Sequence, residues 1–132
     1  MIVLDASVVV DLVLGLPPHD ATIARLLIAE APNIFAPHLL DAEVAQVIRR
    51  QVRAGTVRAT DAAATFAVLA ALPIVRYPHL PFLERAFELR DNATIYDALY
   101  LVLAEALGAT LVTRDGALSS VPGVHARVRV LA

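Results

Sequence analysis

The 132-residue sequence contains no cysteine and no lysine. Without cysteine the chain has no disulfide, no thiolate zinc site and no cysteine nucleophile. Without lysine it has no Schiff-base chemistry, no phosphate-loop lysine and none of the lysine on which phospho-receiver domains depend. All eleven basic residues are therefore arginine, which favours bidentate contacts with phosphate or carboxylate groups.

Charged residues are also few, at 18%, whereas hydrophobic residues make up 58% of the chain. This composition is typical of a well-packed globular protein, and the length suits one domain over residues 1–132. The apolar excess also points to a buried interface with a second subunit or a partner. The net charge of −2 gives no basic excess, so any contact with nucleic acid must depend on local arginines and bound metal.

No segment has the character of a membrane span or a signal peptide. Acidic residues interrupt every apolar run of the length that a span requires, and the N-terminus lacks a basic region and a cleavage site. Together with the absence of cysteine, this favours a cytoplasmic protein with no membrane partner, although secreted proteins can also lack cysteine.

Helical patterns alternate with short, nearly all-apolar strands. Strands are predicted at residues 2–4, 34–36, 73–76, 110–113 and 128–131, and helices at 7–14, 19–31, 39–54, 60–72, 81–90 and 94–107. This pattern predicts an α/β fold with a central parallel sheet of four to five short strands, flanked by helices on both faces. Such sheets bind ligands beyond the carboxyl ends of their strands.

Four acidic residues occupy positions where strands end or helices begin. Asp5 ends the first strand and Asp115 follows the strand 110–113, while Glu43 and Asp97 lie in the first turns of two helices. Each has a structural explanation when taken alone. Asp5 could cap a helix, Asp115 could form a turn with a glycine, Glu43 could interact with a helix dipole and Asp97 could belong to a capping box.

Their combined arrangement suggests a metal site. If Asp97 points toward the strand ends, it meets Asp5 and Asp115 there, and converging carboxylates repel one another. A divalent cation relieves that repulsion, and Mg²⁺ commonly binds one or two carboxylates together with substrate phosphates. The arrangement therefore favours phosphodiester hydrolysis, in which a metal ion generates hydroxide and stabilises the in-line transition state.

Four segments carry a family resemblance. Residues 1–10 (MIVLDASVVV) resemble the opening of a PIN domain, and residues 92–100 (NATIYDALY) resemble its central acidic helix. Residues 111–115 (LVTRD) resemble its last acidic strand end, and residues 40–44 (LDAEV) fit its helical glutamate. In order, spacing and length, essentially the whole chain is similar to the VapC toxins of type II toxin–antitoxin systems.

The resemblance implies roles for particular residues. Asp5, Asp97 and Asp115 would bind Mg²⁺, or alternatively Mn²⁺, directly or through water, and Glu43 would complete the cluster and help orient the attacking water. Further polar residues would support the site, namely the hydroxyl groups of Ser7 and Thr113 and, as an accessory group near the rim, Asn92.

The resemblance also implies an activity and partners. The family cleaves RNA, often tRNA or rRNA, and thereby inhibits translation and growth. A cognate VapB antitoxin inhibits it by covering the site with a tail that often inserts an arginine. Members usually form homodimers.

Several arginines and aromatic residues have two interpretations each. Arg49, Arg50 and Arg53 follow Glu43 on its helix, where they could contact RNA phosphates or form a solvated face. Arg50 and Arg53 are spaced to share a face, and Arg58 comes just after them. Arg114 either approaches the substrate or pairs with a neighbouring acid. The aromatic residues at helical spacings are more typical of a core or dimer interface than of base-stacking platforms: Tyr96, Tyr100, Phe82 and Phe87.

Two alternatives to a ribonuclease remain. A catalytically silent PIN-like module that binds RNA or protein would be expected to lose one or more of the four acids, which this chain retains. A haloacid-dehalogenase-type phosphatase needs a second acid two residues after the first, where this chain has Ser7, and commonly uses a lysine.

Overall fold

A five-stranded parallel sheet forms the centre of the molecule. The computed structural model describes the whole chain, residues 1–132, and the strands lie in the order β3-β2-β1-β4-β5. All four neighbouring pairs are parallel, which confirms the predicted fold class. The strands are β1 (Ile2–Leu4), β2 (Ile34–Pro37), β3 (Val75–Tyr77), β4 (Thr110–Thr113) and β5 (Arg127–Val130).

Six α-helices flank the sheet: α1 (Ala6–Val13), α2 (His19–Glu30), α3 (Leu39–Arg53), α4 (Ala59–Ala71), α5 (Leu83–Glu88) and α6 (Ile95–Leu107). Two short 3₁₀ helices, Leu80–Phe82 and Gly116–Ser120, precede α5 and follow β4. The helix predicted for residues 81–90 is thus divided between a 3₁₀ turn and α5. None of the helices combines the length and the apolar character needed to cross a membrane.

Strand β1 and helix α6 lie at the centre of the molecule, and most of their residues are buried. All three residues of β1 are buried, as expected for a strand with a neighbour on each side and helices above and below. Helix α6 packs on β1, β2 and β4 as well as on α5, and its residues 98–104 are all buried. The Thr94 hydroxyl caps the helix by accepting a hydrogen bond from the Asp97 amide at 3.1 Å, and Gly108 ends it with a left-handed φ of 64°.

The third strand begins two residues later than the sequence predicts. The Ile74 amide donates a hydrogen bond to the Leu72 carbonyl at 2.8 Å, so Pro73 lies at the centre of a three-residue turn. The strand then starts at Val75. Pro73 therefore turns the chain before the strand and takes no part in the sheet.

The parallel arrangement places the end of β1 beside the end of β4. Leu4 is in register with Val112, and the Asp5 amide donates to the Val112 carbonyl at 3.0 Å. Helix α3 begins directly after β2, which is the other neighbour of β1. The carboxyl edge of the sheet therefore collects residues from distant parts of the sequence.

Candidate active site

The four acidic residues singled out by the sequence line a single cleft at the carboxyl edge of the sheet. This cleft, called the acid cleft below, has a volume of about 500 Å³. Its lining comprises twelve residues: Asp5, Ala6, Ser7, Leu39, Ala42, Glu43, Gln46, Val47, Arg50, Tyr96, Asp97 and Asp115. The structure thus brings together acids that are as far apart in sequence as residues 5 and 115, while their metal-binding and catalytic roles stay predictions.

Two hydroxyl groups hold the Asp5 carboxylate. Its Oδ2 atom accepts hydrogen bonds from Ser7 Oγ at 2.8 Å and from Thr113 Oγ1 at 2.7 Å. Asp5 precedes α1, but its side chain makes no capping hydrogen bond to that helix. Its carboxylate is therefore positioned toward the cleft, and Ser7 and Thr113 lie where the resemblance implied supports for an acid.

The same hydroxyl groups connect Asp5 to the segment that carries Asp115. Ser7 Oγ accepts from the Arg114 amide at 3.1 Å, and Thr113 Oγ1 accepts from the Asp115 amide at 3.0 Å. The Asp115 carboxylate itself accepts from the Ala117 amide at 2.9 Å and begins the 3₁₀ turn. Asp115 therefore has the turn-forming role that its sequence suggested and also faces the cleft.

Glu43 and Asp97 experience both burial and the charge of their neighbours. Burial raises the pKa of Glu43, a contact with the Tyr100 hydroxyl lowers it, and the charges of Asp5 and Asp97 raise it further. The pKa of Asp97 is raised by burial and then by the charges of Asp5 and Asp115, against a lowering contact with Thr94. The carboxylates thus disfavour one another's charged forms, as expected for a shared site.

Tyr100 is a wholly buried neighbour of Glu43. Burial and the nearby Glu43 charge raise the pKa of the Tyr100 hydroxyl, so it stays protonated. The Tyr100 hydroxyl and Glu43 Oε1 are both buried without a partner in good hydrogen-bond geometry. The predicted core position of Tyr100 is confirmed, but its polar end belongs to the surroundings of the acid cleft.

The donor set fits a hydrated divalent cation. Three observations favour this: all four candidate ligands are carboxylates, Glu43 Oε1 lacks a partner, and the charges repel one another. No three of these side chains lie in a ready-made metal-binding arrangement. Mg²⁺ needs only one or two carboxylates because it keeps several water ligands.

The arginines that follow Glu43 separate into two groups. Arg50 comes two helical turns after Glu43 and lines the acid cleft, whereas Arg49 and Arg53 line a groove between α3 and α4. Arg50 and Arg53 are spaced so that they could share a helical face, but they line different grooves. Arg53 is four residues from Arg49, and that spacing aligns those two side chains instead.

Arg114 forms an ion pair that the sequence left as one of two options. Its guanidinium lies 2.9 Å from Asp11 Oδ2 and 3.0 Å from Asp11 Oδ1. Asp11 is only 2% exposed and also lies 3.3 Å from His19 Nδ1. Arg114 does not line the acid cleft. Asn92 does not line it either, and lies exposed in the turn before α6.

Sequence reasoning missed two features of this region. Tyr96 was predicted for a core or a dimer interface; it is 60% exposed in the single chain, so the core is wrong and the interface stays a prediction, and it lines the acid cleft next to Asp97. Pairing of Arg114 with an acid was one of two options, but Asp11 was not named as the partner, although it stands four residues after Ser7 on α1 and so lies on the same helical face. The spacing of these residues in the sequence does not show which of them are buried and which are exposed.

Comparison with known proteins places the chain in a family. A family model described as the PIN domain matches residues 2–124. Ribonuclease VapC1 of Mycobacterium tuberculosis is 39% identical over 130 residues, which cover 98% of this chain and 96% of that protein. Ribonuclease VapC12 of the same species is 38% identical over 132 residues, 100% of both chains.

Solved structures share the fold. VapBC2 of Rickettsia felis, bound to a DNA fragment from its promoter, aligns with a TM-score of 0.73 at 17% identity over 98% of both chains. VapC20 of M. tuberculosis, a sarcin-ricin loop cleaving toxin, aligns with a TM-score of 0.70 at 19% identity over 96% of this chain and 99% of that one. By its sequence relatives and its family model, the chain belongs to the PIN-domain family and, within it, to the VapC ribonucleases.

Proposed function

We propose that this protein is a Mg²⁺- or Mn²⁺-dependent endoribonuclease and the toxin of a type II toxin–antitoxin module. The observation that carries the proposal is the convergence of Asp5, Glu43, Asp97 and Asp115 on one cleft in a chain that belongs to the VapC ribonucleases. The substrate would be cytoplasmic RNA, with tRNA or rRNA as the expected targets. Its cleavage would stop translation and growth.

Each of the four acids would have a defined role in the site. Asp5, Asp97 and Asp115 would hold the ion directly or through water, and Glu43 would complete the acidic set. A divalent ion bound there would activate water and neutralise the charge that develops on the scissile phosphate. Glu43 lines the same cleft and would help orient the attacking water.

Cleavage of total RNA by the purified protein tests this proposal. We expect discrete products with Mg²⁺ or Mn²⁺, none with EDTA, and a loss of at least about a hundredfold for Asp97→Asn, because the carboxylate charge is removed while the side-chain shape is kept. Asp91→Asn is the matched control, since Asp91 is exposed and lies outside the acid cleft. Equal cleavage by Asp97→Asn and the wild type would overturn the metal assignment. Metal binding without any cleavage would favour a silent PIN-like binding module.

A VapB-type antitoxin and a second copy of the chain are the proposed partners. Two of the structures that share this fold are VapBC complexes, and several large apolar side chains are exposed, including Ile28 at 82% and Leu80 at 74%. Apolar surface of this kind is typical of interaction sites. Light scattering on the protein alone, and on the protein co-expressed with a candidate VapB-type antitoxin, measures both assemblies.

A further inference from the structure

Hydroxyl groups hold two of the four carboxylates of the acid cleft. Asp5 Oδ2 accepts hydrogen bonds from Ser7 and Thr113, and the hydroxyl of Thr94 lies against the side chain of Asp97. A hydroxyl that donates to a carboxylate stabilises its charged form and restricts its orientation. The cleft therefore positions these acids through uncharged donors.

The two carboxylate oxygens of Glu43 have different surroundings. Oε1 is buried and has no partner in good hydrogen-bond geometry. Oε2 also accepts no hydrogen bond within the chain, but it is not buried, and Glu43 lines the acid cleft. The carboxylate therefore directs Oε1 toward the protein interior and Oε2 toward the cleft.

The hydroxyl group of Tyr100 lies beside this carboxylate. Tyr100 stands three residues after Asp97 on α6 and so shares its helical face, and the side chain of a helical residue leans toward the helix N-terminus. The residue is wholly buried, and its hydroxyl oxygen also lacks a partner in good geometry. Among the nearby acids, Glu43 acts on this hydroxyl more strongly than Asp5 or Asp97 does.

One hydrogen bond would satisfy both of these buried atoms. A buried donor or acceptor that stays unpaired is costly, and the Tyr100 hydroxyl has a proton to donate whereas Glu43 Oε1 can accept one. A bound cation keeps the Glu43 carboxylate charged, which makes Oε1 a stronger acceptor. The bond is therefore favoured most when the cleft holds an ion.

We propose that Tyr100 is a positioning residue of the acid cleft, whose hydroxyl donates a hydrogen bond to Glu43 Oε1 in the metal-bound protein and keeps Glu43 Oε2 directed at the ion or at a water molecule bound to it. This inference rests on the divalent-ion function proposed above. Tyr100 itself contacts neither the ion nor the substrate, because it is wholly buried. Its effect is transmitted through Glu43.

Removal of the hydroxyl tests the proposal. Mn²⁺ is titrated into the wild-type protein and into Tyr100→Phe, and the free ion is measured by electron paramagnetic resonance. We expect the Kd to rise on the order of tenfold in Tyr100→Phe, because a hydrogen bond to a charged group is lost while the ring still fills the core. Tyr77→Phe is the matched control and should leave the Kd unchanged, since Tyr77 is partly buried on β3 and lies outside the acid cleft.

A double-mutant cycle separates positioning from a structural role. In a Glu43→Ala protein the acceptor is absent, so adding Tyr100→Phe should change the Kd by less than about twofold. Thermal melts in EDTA accompany the titrations. A merely structural role for the hydroxyl would lower the metal-free melting temperature and would weaken Mn²⁺ binding by the same factor with and without Glu43.

A measurement on the unsubstituted protein gives an independent readout. The chain has three tyrosines, so labelling with ¹³Cζ-tyrosine gives three ring signals that respond to hydrogen bonding of the hydroxyl. Addition of Mg²⁺ should shift the Tyr100 signal and leave that of Tyr77 in place, while Tyr96, which lines the cleft, reports that the ion has bound. Glu43→Ala should abolish the shift of Tyr100.

Three outcomes would overturn the proposal: an unchanged Kd in Tyr100→Phe, an equal loss of affinity in the Glu43→Ala background, or a Tyr100 signal that stays in place while the ion binds. Each of them requires that the wild-type protein binds the ion, so each counts against the positioning role alone. Absence of binding of either ion by the wild-type protein would overturn the metal function, and the role of Tyr100 with it.

Discussion

Glu43 and Asp97 show how individual side chains are adapted to a site that is unfavourable without a bound ion. Both are half-buried, and the pKa of each is raised first by burial and then by neighbouring carboxylates. An isolated acid in the first turn of a helix, where Asp97 lies in α6, would be stabilised by the helix dipole instead. Glu43 was predicted for a first turn as well, but α3 begins at Leu39 and only Asp41 is acidic in its first turn. The surroundings of Glu43 and Asp97 therefore cost free energy at neutral pH, a cost that a bound cation would remove.

This cost predicts a pH-dependent stability in the absence of metal. Because the folded-state pKa values exceed the ordinary 4.5 of Glu43 and 3.8 of Asp97, the folded protein binds protons more tightly than the unfolded chain. The stability contributed by these groups is present below those values and is lost as the pH rises through the folded-state pKa values. The free energy of unfolding should therefore fall as the pH rises from about 4 toward neutral, insofar as these two groups determine it.

Asp97→Asn should remove part of this dependence. In EDTA at pH 8 the variant should melt about 2–4 °C above the wild type, the shift expected for a change on the order of 1 kcal/mol in a domain of this size. At pH 4 the difference between the two proteins should narrow, because the raised pKa of Asp97 favours its neutral form as the pH falls. Thermal melts at both pH values measure this, with Asp91→Asn as the control. A lower melting temperature for Asp97→Asn at pH 8 would contradict mutual repulsion in the acid cleft.

At the scale of secondary-structure elements, two sets of side-chain contacts join the Asp5–α1 segment to the end of β4 and the residue that follows it. Ser7 and Thr113 connect them through Asp5 Oδ2, and Asp11 on α1 pairs with Arg114. These contacts fix the position of the next residue, Asp115, although Asp115 itself is exposed. Burying the Asp11 charge is tolerated because Arg114 and His19 lie within 3.3 Å of its carboxylate.

This arrangement predicts that Arg114 contributes to stability. Arg114→Gln should lower the free energy of unfolding by about 2 kcal/mol, less than the 3–5 kcal/mol of a fully buried pair because Arg114 is partly exposed. Urea denaturation at pH 7.5 measures the loss, and Arg129→Gln on the edge strand β5 is the control. Unchanged stability together with weaker RNA binding would mean that Arg114 contacts the substrate, the other option that its sequence position left open.

At the scale of the whole molecule, the proposed metal site connects three parts of the fold. Asp5 follows β1, Asp97 lies in the first turn of α6 and Asp115 follows β4. An ion bound by these residues stabilises the folded protein as a unit, because the unfolded chain holds no such site.

Metal addition should therefore raise the melting temperature of the intact protein. At an ion concentration one hundred times the Kd, mass action adds about 2.7 kcal/mol of stability, which should raise the melting temperature by several degrees. Thermal melts with increasing Mn²⁺ or Mg²⁺ measure the effect, and Asp97→Asn should strongly reduce it while Asp91→Asn should not. No shift with either ion at millimolar concentration would contradict the metal site.

The sequence predicted the elements more reliably than their ends. Continuous apolar runs indicated buried parallel strands, and β1, β2 and β4 lie close to the predicted positions because their residues can only be buried. The start of β3 was wrong because Pro73 has two permitted uses, at the first position of a strand or in a turn. A local backbone hydrogen bond selected the turn.

The sequence by itself determined the fold class, because the hydrophobic period is a local property of the chain, and its resemblance to a known family singled out the four acids that line the cleft. Only the tertiary structure decided which residues join the acids. It placed Arg50 in the acid cleft but Arg49 and Arg53 in another groove, paired Arg114 with Asp11, and left Tyr96 exposed while burying Tyr100. The physical reason is that exposure and partnership depend on how helices rotate against the sheet, and that rotation is set by packing across the whole core.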